Sequence, residues 1–164
     1  MFPAMKLLLI PFLLAALAAA PAAQKSDGNS SQASQEDDVR VAVFHYQFKN
    51  VELAFAYFFI SVDGKKPSSS FLQRFRDEAP PVESISECVR VKKPIRGIVS
   101  RKDDKPGIIF NVGSIKWISA TKADVAGGFE CGDACTNQSG VYHVSRQDNK
   151  WVVESFEVAA KSGS

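Results

Sequence analysis

The chain has 164 residues, 45% hydrophobic and 23% charged, with a formal net charge of +2. So small a net charge gives no electrostatic basis for binding nucleic acid or an anionic membrane. The length accommodates one domain with a full core.

Residues 1–23 carry the three-part layout of a secretory signal peptide: a short basic start ending at Lys6, an apolar run over 7–17, and a small-residue region over 18–23. The apolar run is shorter than the roughly twenty residues of a membrane span, and Pro11 interrupts it. Lys6 is the only charge in this segment, so cleavage takes the net charge from +2 to +1. The expected address is export, to the periplasm or the medium, with no membrane attachment after cleavage. Residues 24–35 are rich in Ser, Gln, Asn and Gly and hold no large apolar side chain. That composition predicts a disordered leader, with a single domain over 36–160.

The domain opens with an expected helix. Ser34 and Asp37 have the spacing of a capping box, and Glu36, Asp37 and Asp38 suit the positive end of a helix. Val41, Phe44 and Phe48 recur at helical spacing, as do Val39, Val43 and Tyr46. Residues 54–62 (AFAYFFISV) are aromatic and β-branched, which predicts a strand buried on both faces and ended by Asp63 and Gly64. Residues 68–76 follow as a short helix with Phe71, Leu72 and Phe75 on one face, stopped by Pro80 and Pro81.

Everything beyond Pro81 reads as antiparallel sheet with meander connections. The expected strands cover 82–91, 95–102, 107–119 with a bulge at Gly113, 122–129, 141–147 and 151–158. Asp148 and Asn149 form a hairpin turn, and Gly127 and Gly128 let a strand bend or another backbone approach. The fold class is therefore α+β, an amino-terminal helix on a curved antiparallel sheet. Phe44, Phe48, Trp117, Tyr142 and Trp151 are the rings expected between helix and sheet.

Three cysteines remain after cleavage. Cys131 and Cys135 are close enough in sequence to form a disulfide in an oxidising compartment. Cys88 is the odd one out, read as a small buried hydrophobe. The basic pairs Lys92–Lys93 and Arg101–Lys102 read as solvated hairpin tips.

Several segments resemble a group of uncharacterised exported bacterial proteins: AVFHYQF (42–48), FFISVDG (58–64), SSSFLQRF (68–75), SECVRV (86–91), GSIKWIS (113–119), ADVAGGFECGDAC (123–135) and VYHVSRQDNKWVVES (141–155). The likeness covers about 39–155. It implies the cystatin-like or nuclear transport factor 2-like cone, a long helix wrapped by a bent sheet. That superfamily contains SnoaL-like cyclases, ketosteroid isomerases, scaffolds and proteins without activity, and the resemblance carries over no catalytic residue.

The search for chemistry is short. An isomerase-like site needs a carboxylate aimed into an apolar cone, whereas Asp63, Glu83, Glu87, Asp124, Glu130, Glu154 and Glu157 mostly fall beside turns. His45, Tyr46 and Tyr57 are the residues expected to line any ligand cavity, each with a plainer reading as core filler. His143 alternates with Tyr142 and Val144, so it faces solvent if they face inward. No nucleophile elbow and no zinc-protease motif is present. Neither a catalytic residue, a cofactor nor a metal site is assigned. The expected function is a non-enzymatic binding module, monomeric or homodimeric, for a small molecule or a protein. The alternative is a SnoaL-like isomerase or cyclase using the cone cavity.

Overall fold

The structure, a computed structural model, describes residues 27–52, 54–92 and 97–159. The expected signal peptide lies outside the described residues.

Helix α1 (Asp27–Lys49) starts ahead of Ser34. Residues 27–35, expected in a disordered leader, are therefore helical, and Ser34 and Asp37 lie inside the helix instead of capping it. Once the following turns are packed, each added residue gains a backbone hydrogen bond at little cost. Glu36 and Asp37 serve as partners of Arg40 instead, at 3.2 and 3.8 Å, and Arg40 also approaches Asp63 at 3.6 Å. Val39, Val43, Phe44, Gln47 and Phe48 are buried, the spacing of one helical stripe. Helix α2 (Ser69–Leu72) begins where the Ser68 side chain accepts from the Phe71 N–H, and it tightens into a 3-10 turn over Gln73–Phe75.

The strands are β1 (Tyr57–Val62), β2 (Val82–Ser84), β3 (Cys88–Val91), β4 (Gly97–Ser100), β5 (Gly107–Ser119), β6 (Lys122–Glu130), β7 (Gln138–Gln147) and β8 (Lys150–Val158). They form an open six-stranded sheet in the order β2-β1-β5-β6-β7-β8 and a separate β3–β4 hairpin. The sheet is mostly antiparallel, and β5 to β8 are the expected meander.

Two expectations fail on the β1 side. First, β1 runs parallel to both β2 and β5, because its chain returns each time through a crossover, once by α2 and once by the β3–β4 hairpin. Second, the strand expected over 82–91 is split by a 3-10 turn at Ile85–Glu87, where the Ser84 side chain accepts from the Ser86 N–H. Register shifts in β5 fall between Val112 and Ile115, which takes in Gly113 where a bulge is expected, and again between Trp117 and Ser119. Asp148 and Asn149 both take positive φ, 47° and 62°, as a tight primed hairpin turn requires.

The main core lies between α1 and one face of the sheet. Phe44, Phe48, Phe71, Phe75, Phe58 and Phe110 fill it as a connected cluster of rings, and Tyr142 is buried in the same core against Tyr46 and Phe156. A second core of Phe59, Cys88, Ile98 and Ile109 lies on the opposite face, under the hairpin. This explains why β1 is apolar on both sides. Trp117 and Trp151 are only half-buried. They meet each other edge-on with centroids 5.6 Å apart, near the amino-terminal half of α1, where Gln35 Nε2 contacts Ala120 O. The rings that meet Phe44 and Phe48 are instead phenylalanines of β1, β5 and the α2 region.

Cys131 and Cys135 are bonded, with Cα atoms 5.7 Å apart. Asn137 Oδ1 accepts from the Cys131 N–H at 2.9 Å and closes the same loop. Cys88 is free and buried, and desolvation pushes its thiol pKa up, which keeps it in the unreactive protonated form.

Candidate functional site

Strand alternation places every second side chain of the sheet on the face opposite α1. There β1, β5, β6 and β7 contribute Ser61, Asn111, Ala126, Gly128 and Ser139, a floor of small and polar groups. Ile85 and Arg90 rise beside it from the hairpin region, and Ile109 and Val141 add apolar surface. The result is a groove of about 620 Å³.

Its floor depends on missing side chains. A Cβ on Gly128 would overlap the carbonyl of Gln138 and lie 2.7 Å from Ser139 Cα. A Cβ on Gly127 would lie 2.7 Å from the Asn111 carbonyl oxygen. Backbones of adjacent strands thus approach closely at the expected glycine pair.

The same floor is clamped from the helix side by Gln47. Its amide Nε2 donates to the carbonyls of Asn111 and Gly128 at 3.3 and 3.2 Å, and contacts the Tyr142 hydroxyl at 3.0 Å. Gln47 is only 3% exposed, and its Oε1 is buried with no hydrogen-bond partner. Burial raises the Tyr142 pKa, so the phenol is neutral at physiological pH. Sequence reasoning passed over Gln47; the one signal was a polar residue between Val43–Phe44 and Phe48 on an apolar stripe.

At one end of the groove Arg90 forks onto Glu130. Nε donates to Oε1 and Oε2 at 2.8 and 3.1 Å, and a terminal guanidinium nitrogen donates to Oε2 at 2.8 Å. Behind the pair lies a second cavity of about 570 Å³, between the hairpin and the disulfide loop, lined by Lys92, Gly132 and Asn137 among others. Arg90 and Glu130 border both cavities.

The three residues expected to line a cavity do not converge. His45 pairs with Glu78 at 2.9 Å and packs on Phe75, beside a cleft of about 420 Å³ at the carboxyl end of α1. Tyr46 lies edge-on to Tyr142 at 5.9 Å. Tyr57 points to the other side of the sheet, stacking on Phe59 and donating its hydroxyl to Asp103 at 3.1 Å. Helix rotation separates His45 from Tyr46, and Tyr57 falls on the strand face away from the helix.

His143 is partly solvent-facing, as its alternation predicts, at 38% side-chain exposure. Its Nδ1 sits 2.7 Å from Asp124 Oδ1, and its Nε2 lies 3.6 Å from Glu157 Oε2. Ser155 is its register partner on β8. The hydrogen bond that His143 donates to Asp124, helped by the charges of Asp124 and Glu157, raises the imidazole pKa above the ordinary value of about 6.5. A raised folded-state pKa stabilises the fold fully below the unfolded-state value, and the contribution fades as pH rises through the folded pKa. Asp124→Asn is expected to lower the His143 titration midpoint measured by imidazole NMR; an unchanged midpoint would show that the pair does not set it. Among the described residues no group of three His, Cys, Asp or Glu side chains has metal-binding geometry.

Comparison with protein-family models, curated proteins and solved structures finds no match to this chain. The class that fold and site define is an α+β domain, one helix on a mostly antiparallel open sheet, with a neutral groove on the far face.

Proposed function

We propose that this protein is an exported, non-catalytic binding domain that receives a segment of a partner protein in the groove opposite α1. The observation that carries the reading is the filled interior. Aromatic rings from α1, β1, β5 and the α2 region occupy the space under the helix, where a SnoaL-like isomerase or cyclase would need an open cavity and an inward carboxylate. The groove, by contrast, lies open on the surface and mixes aliphatic walls with polar groups.

Export rests on the signal layout of residues 1–23 and agrees with the Cys131–Cys135 bond. No helix among the described residues is long and apolar enough to cross a membrane. A cystatin-like or nuclear transport factor 2-like ancestry is part of the proposal, supported by the long helix lying on a bulged sheet.

Selection of a random heptapeptide library displayed on phage, against wild type and Ala126→Trp, tests the reading. Ala126 is an exposed floor residue, so an indole there blocks the groove while leaving the core intact. Peptides that bind wild type and lose binding to Ala126→Trp are expected. Failure to select any peptide, or selected peptides indifferent to the substitution, would refute the groove as the binding site.

A further inference from the structure

We propose that the β3–β4 hairpin is a flap that opens as one unit while the six-stranded sheet stays folded, and that it closes on a segment bound in the groove. The closing step rests on the groove being the binding site; the opening does not.

The hairpin satisfies much of its own backbone. β3 and β4 pair in register from Cys88 opposite Ser100 to Val91 opposite Gly97. At their base the Arg101 N–H donates to the Glu87 carbonyl and Arg101 Nε donates to the Ser86 carbonyl, each at 2.8 Å. The Cys88 thiol donates to the Ile85 carbonyl at 3.2 Å. All these bonds travel with the hairpin, so lifting it leaves those groups paired.

Its attachment to the rest of the molecule is thin by comparison. β3 and β4 form a sheet of their own, and the isolated bridge Val99–Pro106 ties β4 to the chain just ahead of β5. Beneath them the second core is four residues, to which the hairpin contributes Cys88 and Ile98. The Arg90–Glu130 pair that crosses to β6 has side chains 53% and 35% accessible, so water competes for both charges and the pair holds weakly. Packing is also interrupted. The cavity of about 570 Å³ and another of about 300 Å³ both touch Val91, Gly97 and Ile98. Side chains that face a void have no partner atoms there and forfeit that attraction. Segments with few buried apolar contacts open locally, at a fraction of the global unfolding free energy.

The hairpin is also a wall of the groove, through Arg90 on β3 and Ile85 at its base. Lifting it takes that wall away, so a segment lying in the groove holds the flap shut. By linkage, a ligand that binds only the closed form, at 100 times its dissociation constant, suppresses opening about a hundredfold.

Cys88 reports on the flap directly. It is the free thiol, because Cys131 and Cys135 are bonded to each other, and it is only 5% exposed. Iodoacetamide spares disulfides, so alkylation of the folded protein, followed by mass spectrometry, reads how often the hairpin lifts. Ile98→Val should speed this alkylation about two- to tenfold, the effect of trimming one buried aliphatic side chain under the flap. Phe44→Leu loosens the main core instead and should leave the rate unchanged. If Phe44→Leu speeds alkylation in proportion to its loss of global stability, Cys88 is reached by unfolding of the whole domain and the flap is refuted. An unchanged rate for Ile98→Val refutes it equally.

The closing step has its own readout. A heptapeptide selected on wild type and dependent on Ala126, supplied at 100 times its dissociation constant, should slow alkylation of Cys88 about a hundredfold. A peptide that binds, depends on Ala126 and leaves the rate unchanged refutes the closing while the groove reading stands. If every selected peptide ignores Ala126→Trp, the groove reading fails and the closing with it, and the two variants still decide the opening.

Discussion

Phe44→Ala is expected to cost about 3–5 kcal/mol of stability, the range for removing a buried aromatic ring. Phe44 is fully buried and its ring touches Phe48, Phe71 and Phe75, so truncation leaves a hole bounded by three other side chains that are themselves packed. A domain of this size has roughly 5–15 kcal/mol in total, so the variant is at the edge of folding. With a urea slope of about 1–3 kcal/mol/M, the midpoint should fall by more than about 1 M. Phe44→Leu keeps most of the volume and should lose less than about 1.5 kcal/mol, which leaves a measurable variant if Phe44→Ala does not fold. Trp117→Ala should cost less than Phe44→Ala despite the larger ring, because Trp117 is half-buried and its neighbour Trp151 can close over the gap. Equal losses for Trp117→Ala and Phe44→Ala would mean that the tryptophans, and not the phenylalanines, anchor the helix.

Gly140→Ala is expected to destabilise by about 1–3 kcal/mol through overpacking. The added Cβ would overlap the Glu157 carbonyl and stand 2.8 Å from the Phe156 ring. Backbone cannot rotate away as a side chain can, so β7 and β8 must separate locally. Gly97→Ala is the control. Nothing lies within 4 Å of its Cβ position, and where the backbone suits alanine the change stabilises by about 0.4–1 kcal/mol through the unfolded chain. Thermal melts of the two variants should therefore move in opposite directions. Similar melts would mean that the β7–β8 contact relaxes freely and that close strand approach does not hold the sheet's shape. Gly140 also borders the groove, so Gly140→Ala should weaken the selected peptides along with stability.

Much of the local structure was legible in the sequence because periodicity reports directly on burial. The helical spacings of Val41, Phe44, Phe48 and of Val39, Val43, Tyr46 marked α1, the run in 54–62 marked a strand buried on both faces, and Asp148–Asn149 marked a hairpin turn. The short spacing of Cys131 and Cys135 marked their bond. Each of these is a short-range property, decided within a few residues by dihedral preference or side-chain alternation.

What the tertiary structure alone decided are relations between distant segments. The parallel pairing of β1 with β2 and β5 follows from two crossovers whose direction leaves no trace in the strands themselves. The dispersal of His45, Tyr46 and Tyr57 follows from which face of α1 and β1 each one occupies once those elements dock. The groove was hidden for a different reason. Its floor is built from Ser61, Ala126, Gly128 and Ser139, side chains too small to carry a hydrophobic pattern, and the Arg90–Glu130 ion pair at its end joins residues on different sheets. Patterns in a sequence record what must be buried. A concave surface is made where side chains are small and neighbouring walls rise, and only the packed chain brings those walls together.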